Sequence, residues 1–204
     1  MALPIAHATA GYVIHRLDGR RGGFDGRLRA LAFMALANLP DADFLIGFAL
    51  GRPGAFHRGI SHTVLAALVV GGAFGALVSW RTKDRWWRTS LVLAGVYASH
   101  LLVDAFTIDE RGQAGAQFFW PLSTAYYIAP VTVFGEIIID GASRAGFLAS
   151  VLGWPTVLVL AREAAIAVVA IGTFNLLELW VRQATPADGV EIDLAPQPGE
   201  EDVA

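Results

Sequence analysis

The stretch "TVLAALVVGGAFGALVSW", residues 63–80, contains no charged side chain. A helix needs about 20 predominantly apolar residues to cross the ~30 Å hydrocarbon core of a bilayer. The stretch is therefore predicted to be a membrane helix, and it decides the fold class. Directly before it stands "HRGISH", residues 57–62, which puts two histidines, an arginine and a serine at the start of a segment suited to lipid.

The composition favours a membrane protein over a soluble all-helical one. The chain has 204 residues, of which 55% are hydrophobic and 16% charged, whereas soluble domains carry about 25% charged residues. The absence of cysteine excludes a disulfide scaffold, a thiolate zinc site and a cysteine nucleophile. Any metal must be held by His, Asp or Glu. No basic stripe is interleaved with aromatic residues, so nucleic-acid binding is not predicted.

Further apolar segments extend the prediction from one membrane helix to a bundle. Residues 89–108 and 164–181 have the length to span, and residues 30–50 are apolar but interrupted by "NLPDAD". Residues 2–14 are too short to span unaided. Residues 145–160, which contain Pro155, are interpreted as an interfacial or re-entrant helix. We predict an all-α fold, a polytopic membrane helical bundle of four or five membrane helices.

Two groups of basic residues predict the orientation of the bundle. One group consists of Arg16, Arg20, Arg21, Arg27 and Arg29, and the other of Arg81, Lys83, Arg85 and Arg88. Trp80, Trp86 and Trp87 flank the second group. Short basic loops stay in the cytoplasm, and tryptophan marks the membrane interface. We therefore expect a multi-pass protein of the cell membrane, the bacterial inner membrane, with its basic loops cytoplasmic.

The last residues differ from the rest in composition. After Arg182 the chain has six acidic residues and no basic one. Such a segment cannot bury enough apolar surface to fold. The expected organisation is a membrane-embedded domain at residues 1–183 and an acidic disordered tail at residues 184–204.

Polar residues inside the apolar segments carry the functional signal, because ionisable groups in a membrane are costly and mark functional sites. In "SHLLVDAFT", His100 and Asp104 are four residues apart, on one face of a helix and one turn apart. The pair could bind one metal, or the carboxylate could orient the imidazole of a ligand. The alternative is a structural His–Asp hydrogen bond inside the bundle.

Two other motifs suit the same chemistry. In "LPDAD", Asp41 and Asp43 could converge on a cation, or serve as ordinary turn and helix-capping residues. His57 and His62 would diverge on a regular helix, but Gly59 allows the backbone to bend so that both face inward. Arg58 and Ser61 could bind an anion there. The alternative is an interfacial loop with a snorkelling arginine and a serine cap.

The estimated depths of these residues agree with one another. Counted from the nearest basic flank, His7, Asp41 and His100 come out roughly 14 to 18 Å deep. His62 and Asp104 come out roughly 24 to 27 Å deep. Separate segments thus carry metal-capable groups from mid-membrane to the far side, which predicts one shared metal site inside the bundle.

At these residues the sequence resembles the YdjM-like, LexA-regulated family of membrane-bound metal-dependent hydrolases. The resemblance covers roughly residues 1 to 140. Its pieces occur in the family's order: His7, "LPDAD", "HRGISHT", "SHLLVDAFT", "WPLS" at 120–123 and "EIIID" ending at Asp140.

The resemblance implies a hydrolase whose metal is held by these positions. The implied ligands are His7, Asp41, His57, His62, His100 and Asp104, followed by Asp43 and Asp140. The implied cofactor is a divalent cation, zinc in the first place with manganese or magnesium as alternatives. These residues outnumber the ligands of one tetrahedral zinc, so two ions could be bound. A pair of metal ions suits phosphoester hydrolysis. The implied catalytic residues are Asp41, Arg58 and Asp104.

The expected activity follows from this implied site. We expect a phospholipase-like reaction in which a metal-activated hydroxide attacks a lipid-borne phosphoester, so that the partner is a membrane lipid or lipid-linked substrate. A single structural metal is the plainer interpretation of the ligands. A metal-binding or ion-transporting membrane protein without hydrolase activity is the alternative function. One broken helix and no internal repeat argue weakly against a transporter. The oligomeric state is not indicated.

Overall fold

The computed structural model describes residues 4–19, 26–108 and 115–184. Within these ranges the protein is all-helical and forms no β-strand, apart from two isolated β-bridges. The helices are α1 (Pro4–Asp18), α2 (Gly26–Ala37), α3 (Asp43–Ala49), α4 (Val64–Thr82), α5 (Trp86–Ala105), α6 (Arg144–Val151) and α7 (Trp154–Ala184). The predicted all-α class is confirmed for this part of the chain.

Helices α4 and α5 form a closely packed antiparallel pair. A side chain at Gly71 would overlap the backbone of Ala94, and one at Gly75 would overlap Ser90. Glycine thus allows the two backbones to approach closely, as small residues do between membrane helices. Helix α4 starts after Thr63, whose Oγ1 accepts the Ala66 N–H at 3.0 Å. The cap is therefore Thr63 and not Ser61.

Helices α1 and α2 form a second antiparallel pair. A Cβ at Gly11 would lie 2.6 Å from the Phe33 carbonyl oxygen, so a larger residue would separate these helices. At the far end of the pair, the Arg29 guanidinium forms an ion pair with Asp18. Buried side chains of α2 and α5 then join the two pairs into one bundle; they are Phe33, Ala37, Leu93 and Val96.

The predicted interruption of residues 30–50 is present. Helix α2 ends at Ala37, a 3-10 turn follows at Leu39–Ala42, and α3 continues from Asp43. The chain bends by 61° between Gly26–Ala37 and Leu39–Ala49. Pro40 has no N–H to continue the α2 hydrogen-bond ladder, and the bend carries Asp41 and Asp43 into the bundle end.

The prediction for residues 145–160 differs from the structure. These residues do not form one helix: α6 ends at Val151, and Pro155 lies in the first turn of α7. Proline is tolerated at that position because the first N–H groups of a helix lack an intrahelical partner anyway. Helix α7 has 31 residues and lies parallel to α1, with contacts from Ala6 to Glu163 and from Arg16 to Glu178.

Among the described helices, two are long and apolar enough to cross a membrane, Val64–Thr82 and Trp154–Ala184. The bent pair of α2 and α3 makes a third if it is counted as one span. Helix α1 has only 15 residues, and α5 contains the buried polar residues His100 and Asp104. The count of four or five membrane helices therefore stays a prediction.

The described members of both basic groups lie at one end of the bundle. The end of α1 meets the start of α2 through Asp18 and Arg29. Thr82 at the end of α4 and Thr89 near the start of α5 line one cavity together with Arg29. The opposite ends of the same four helices carry the predicted site residues. Arg20, Arg21 and the tail from residue 185 onward lie outside the described residues.

Candidate metal centre

Four helix ends converge on a cluster of buried histidines and aspartates. His7 lies in the first turns of α1, Asp41 in the turn after α2, His62 just before α4, and His100 and Asp104 in the last turns of α5. The three histidines are completely buried. Because elements distant in sequence supply these side chains, the cluster forms only when the bundle folds.

Two carboxylates bracket the histidine rings. Asp41 Oδ1 lies 3.5 Å from Nε2 of both His62 and His100. Asp104 Oδ2 lies 3.6 Å from the same two nitrogens. On the other side, Asp104 Oδ1 lies 3.7 Å from His7 Nε2, and Asp41 Oδ1 lies 3.8 Å from His57 Nδ1.

These groups form three overlapping sets of potential ligands. Within each set the ligand atoms lie within 4.8 Å of one another. The sets are His7–Asp41–His100, Asp41–His57–His62 and His62–His100–Asp104. The structure thus brings together six of the predicted residues.

The His100 ring has a defined tautomer. Its Nδ1 lies 2.9 Å from the Ala37 carbonyl oxygen. A carbonyl only accepts, so Nδ1 carries the hydrogen and donates it. A neutral His100 therefore directs an unprotonated Nε2 at the cluster, which is the arrangement of a metal-ligating histidine.

The His62 ring is fixed in the same tautomer by a serine. Ser61 Oγ lies 2.8 Å from Asp43 Oδ2, and an ionised carboxylate only accepts, so the hydroxyl hydrogen points at Asp43. Ser61 Oγ must then accept from His62 Nδ1, at 3.0 Å. In a neutral His62 ring the Nε2 is consequently unprotonated as well.

These assignments leave two nitrogen lone pairs facing each other, because the Nε2 atoms of His62 and His100 are only 3.2 Å apart. Other buried ligand atoms have no hydrogen-bond partner, namely Asp41 Oδ1, His57 Nε2, both ring nitrogens of His7 and both oxygens of Asp104. Buried polar atoms without partners are costly. Nitrogen and oxygen donors suit zinc, manganese or magnesium, so the residues fit a divalent cation.

Comparison with known proteins agrees with this architecture. A family model described as YdjM inner membrane protein matches residues 1–182. The chain belongs to the YdjM inner membrane protein family. The resemblance stated from the sequence motifs is therefore confirmed, and with it a membrane location. No curated protein and no solved structure matches the chain at a significant level.

Asp43 of this YdjM-family protein lies behind the cluster. Its Oδ1 is 3.3 Å from His57 Nδ1, and its Oδ2 accepts the Ser61 hydroxyl. Asp43 is in none of the three ligand sets. The carboxylate holds the His57 ring, which also stacks on Phe44 with ring centroids 4.1 Å apart. In this geometry Asp43 contacts two candidate ligand histidines and is not grouped with them, so its role as a ligand stays a prediction.

Asp140, the other predicted ligand, lies outside the cluster. It is solvent-exposed, its Oδ1 accepts the Ala142 N–H at 3.0 Å, and its own N–H donates to Ser150 Oγ. It belongs to none of the ligand sets. The structure does not bring Asp140 to the candidate ligands, because its carboxylate closes the turn before α6, whose N-cap is Ser143.

Arg58 has an unusual backbone conformation for its type. Its φ is +60°, in the left-handed region that non-glycine residues rarely adopt. Its Nη1 donates to the Gly115 carbonyl oxygen at 3.3 Å. The arginine thus ties the loop before α4 to the segment that follows α5.

A buried carboxylate that no sequence motif predicted lies next to the cluster. Glu163 of α7 is 1% exposed, and its Oε2 accepts the Ala6 N–H at 3.1 Å. An anion at the N-terminus of α1 satisfies a backbone donor and interacts favourably with the helix dipole. Ala6 precedes His7, so Glu163 fixes the part of α1 that carries this candidate ligand. The available signal was an acidic residue adjoining the apolar run at 164–181.

Proposed function

We propose that this YdjM-family protein is a membrane-embedded metal-dependent hydrolase that cleaves a lipid-borne phosphoester. The observation that carries the proposal is the approach of the Nε2 atoms of His62 and His100 to 3.2 Å between the carboxylates of Asp41 and Asp104. In the neutral rings both of these nitrogens are free to bind a cation. Membership of the family establishes that the chain is a membrane protein. The hydrolase activity is our inference from the chemistry of the cluster.

The ligand sets support binding of two ions that share a carboxylate. His7 and His100 would hold one cation, and His57 and His62 the other, with Asp41 common to both sets. Asp104 is grouped with His62 and His100, one histidine from each of these sets. A divalent cation bound there would supply Lewis-acid activation of water and would stabilise negative charge on the phosphoester oxygens. The surrounding hydrogen bonds from His100 to Ala37 and from His62 to Ser61 keep the rings aligned in advance.

The exposure of the cluster supports one direction of approach. The side chains of His7, His62 and His100 are 0% exposed, whereas those of Asp41 and His57 are 15% and 13% exposed. A substrate would therefore reach the cluster from the Asp41 and His57 side. The buried side excludes water, which strengthens electrostatic interactions with the substrate.

Arg58 is the proposed phosphate-binding residue, because it follows His57 on the accessible side. A guanidinium offers planar, bidentate donors that match phosphate oxygens. In this role it would exchange its contact with the Gly115 carbonyl for the substrate. Replacing Arg58 with Lys keeps the positive charge but removes the planar pair of donors. The substitution should slow turnover more than it weakens metal binding.

A lipid-borne substrate is supported by the depth of the cluster. From His62 to Thr82 the chain rises about 30 Å, the thickness of the hydrocarbon core. The cluster would thus lie near the interface opposite the basic end. The segment after α5, at this end of the bundle, carries exposed aromatic residues, namely Phe119, Trp120, Tyr126 and Tyr127. Aromatic side chains of this kind favour the headgroup region, where a phospholipid carries its phosphate.

A screen of phosphoesters with purified, metal-loaded protein tests the proposal. The expected result is hydrolysis of a phospholipid or lipid-linked phosphate, lost on replacing Asp104 with Ala. Much faster hydrolysis of a water-soluble ester would contradict the lipid substrate. Ion uptake into liposomes without any hydrolysis would favour the alternative, an ion-transporting or metal-binding membrane protein.

A further inference from the structure

A cavity of about 340 Å³ lies between α2, α4 and α5, on the basic side of the metal cluster. Its walls are apolar along most of its length, with Leu36, Leu39, Phe74 and Val78 among them. Polar residues occur at one end only, where Arg29, Thr82, Asp84 and Thr89 line the opening. We call this cavity the α2–α4 groove.

The groove has the length of one leaflet. From Phe74 to Thr82 helix α4 rises about 12 Å, close to half of the ~30 Å hydrocarbon core. The polar opening is level with Trp80, Trp86 and Trp87, which are 66%, 65% and 49% exposed. Exposed tryptophans mark the membrane interface. The groove thus runs from an interface to the bilayer centre, along a helix that is long and apolar enough to span.

The charge around the opening favours an anionic headgroup. Arg81, Lys83, Arg85 and Arg88 are exposed at the turn between α4 and α5 and in the adjoining helix ends. The same stretch carries one carboxylate, Asp84. Asp84 accepts the Thr82 hydroxyl at 3.0 Å. Arg29 adds a cation at the opening and is paired with Asp18. Basic pockets between membrane helices bind anionic lipid headgroups, and each nearby Lys or Arg adds to the attraction.

We infer that the α2–α4 groove binds an anionic glycerophospholipid, with one acyl chain along Phe74 and Val78 and its phosphate at the basic opening. This lipid is distinct from the proposed substrate, because the opening lies at the end of the bundle opposite the metal cluster. The acyl chain ends beside Leu36 and Leu39, which flank Ala37, the residue whose carbonyl orients His100. The inference does not depend on hydrolase activity.

Photo-crosslinking tests the site directly. The full-length protein is placed in vesicles that contain phosphatidylglycerol with a diazirine in one acyl chain, and crosslinked residues are mapped by mass spectrometry. The expected result is preferential labelling of the groove walls over the exposed faces of α4 and α7. The same probe built on phosphatidylcholine should label the groove less, and the difference should shrink at high salt.

A groove-filling variant supplies the control. Ala32 lines the groove, and Ala32→Trp should reduce groove labelling by about tenfold, because the indole displaces several methylenes of the acyl chain. Ala76 is exposed on α4 and does not line the groove, so Ala76→Trp should leave labelling unchanged. Even labelling of every exposed helix face, indifferent to Ala32→Trp, would show annular lipid only and overturn the inference. A crosslinked dimer joined through the groove would overturn it as well.

Discussion

The Nε2 atoms of His62 and His100 face each other at 3.2 Å, and each ring donates its Nδ1 hydrogen away from the cluster. His100 Nδ1 donates to the Ala37 carbonyl, and His62 Nδ1 donates to the Ser61 hydroxyl. Two neutral rings held in this way repel each other unless a cation or a proton lies between them. The Ala37 carbonyl and the Ser61 hydroxyl therefore hold the two rings in an orientation that favours binding of a cation between their Nε2 atoms.

Ser61 is expected to tune metal affinity without being a ligand. Ser61→Ala removes the acceptor for His62 Nδ1 and the donor to Asp43. Loss of such a supporting contact lowers metal affinity by about tenfold or more while the ligands remain. Metal titration of purified protein measures this change. Ser123→Ala, in the segment beyond α5, is the matched control and should bind metal normally. An unchanged affinity in Ser61→Ala would contradict the tautomer assignment.

Glu163 is expected to act through the start of α1. Glu163→Ala removes the acceptor of the Ala6 N–H and should destabilise the protein by about 1–3 kcal/mol, because a buried donor loses its partner. It should also weaken metal binding, since the adjoining His7 is no longer held. Glu163→Gln keeps an acceptor oxygen and should recover part of both properties.

Thermal unfolding in detergent and metal titration check these two effects. Glu178→Gln, on the same helix but at the Arg16 end, serves as the control and should leave metal affinity unchanged. Equal metal affinity in wild type and Glu163→Ala would limit Glu163 to a purely structural role.

Close packing of α4 against α5 predicts opposite effects for two adjacent glycines. Gly71→Ala places a methyl group against the Ala94 backbone and should cost about 1–3 kcal/mol through overpacking. A Cβ at Gly72 meets nothing within 4 Å, so Gly72→Ala should be neutral or stabilising by up to about 1 kcal/mol through helix propensity. Thermal unfolding of the two variants distinguishes them. Equal stability would contradict the packing of this pair.

The orientation of the bundle can be tested because the chain has no cysteine. Asp84→Cys introduces a thiol in the turn between α4 and α5. Leu122→Cys introduces one in the aromatic segment at the opposite end, where the Leu122 side chain is 94% exposed. With the basic end cytoplasmic, a membrane-impermeant thiol reagent added to intact cells should label position 122 and not position 84. The reverse pattern would show an inverted topology.

Part of this fold and site could be predicted because it depends on local pattern. The charge-free run at 63–80 predicts α4, the proline in "LPDAD" predicts the break after α2, and helical spacing puts His100 and Asp104 on one face. Estimated depths also indicated that separate segments carry metal-capable groups between mid-membrane and the far side. These inferences need only the helix rise and the thickness of a bilayer.

The remainder depends on which elements meet, and helical periodicity does not contain that information. Asp43 is next to Asp41 in the motif, yet the 3-10 turn directs it behind His57. Asp140 shares the family motif but closes the turn before α6, outside the cluster. Glu163 gains its role only because α7 packs against the start of α1. In each case a tertiary contact decides the function of a residue whose type alone allows several.

The metal content of the purified protein tests the central claim most directly. Wild-type protein is extracted in detergent without chelators, after growth with zinc and manganese, and analysed by elemental mass spectrometry. We expect stoichiometric divalent metal in the wild type and in His15→Ala, a histidine of α1 outside the cluster. His62→Ala and His100→Ala should lose most of it while the protein still inserts in the membrane. A wild-type protein without stoichiometric metal, and with unchanged thermal stability when metal is added, would contradict the account.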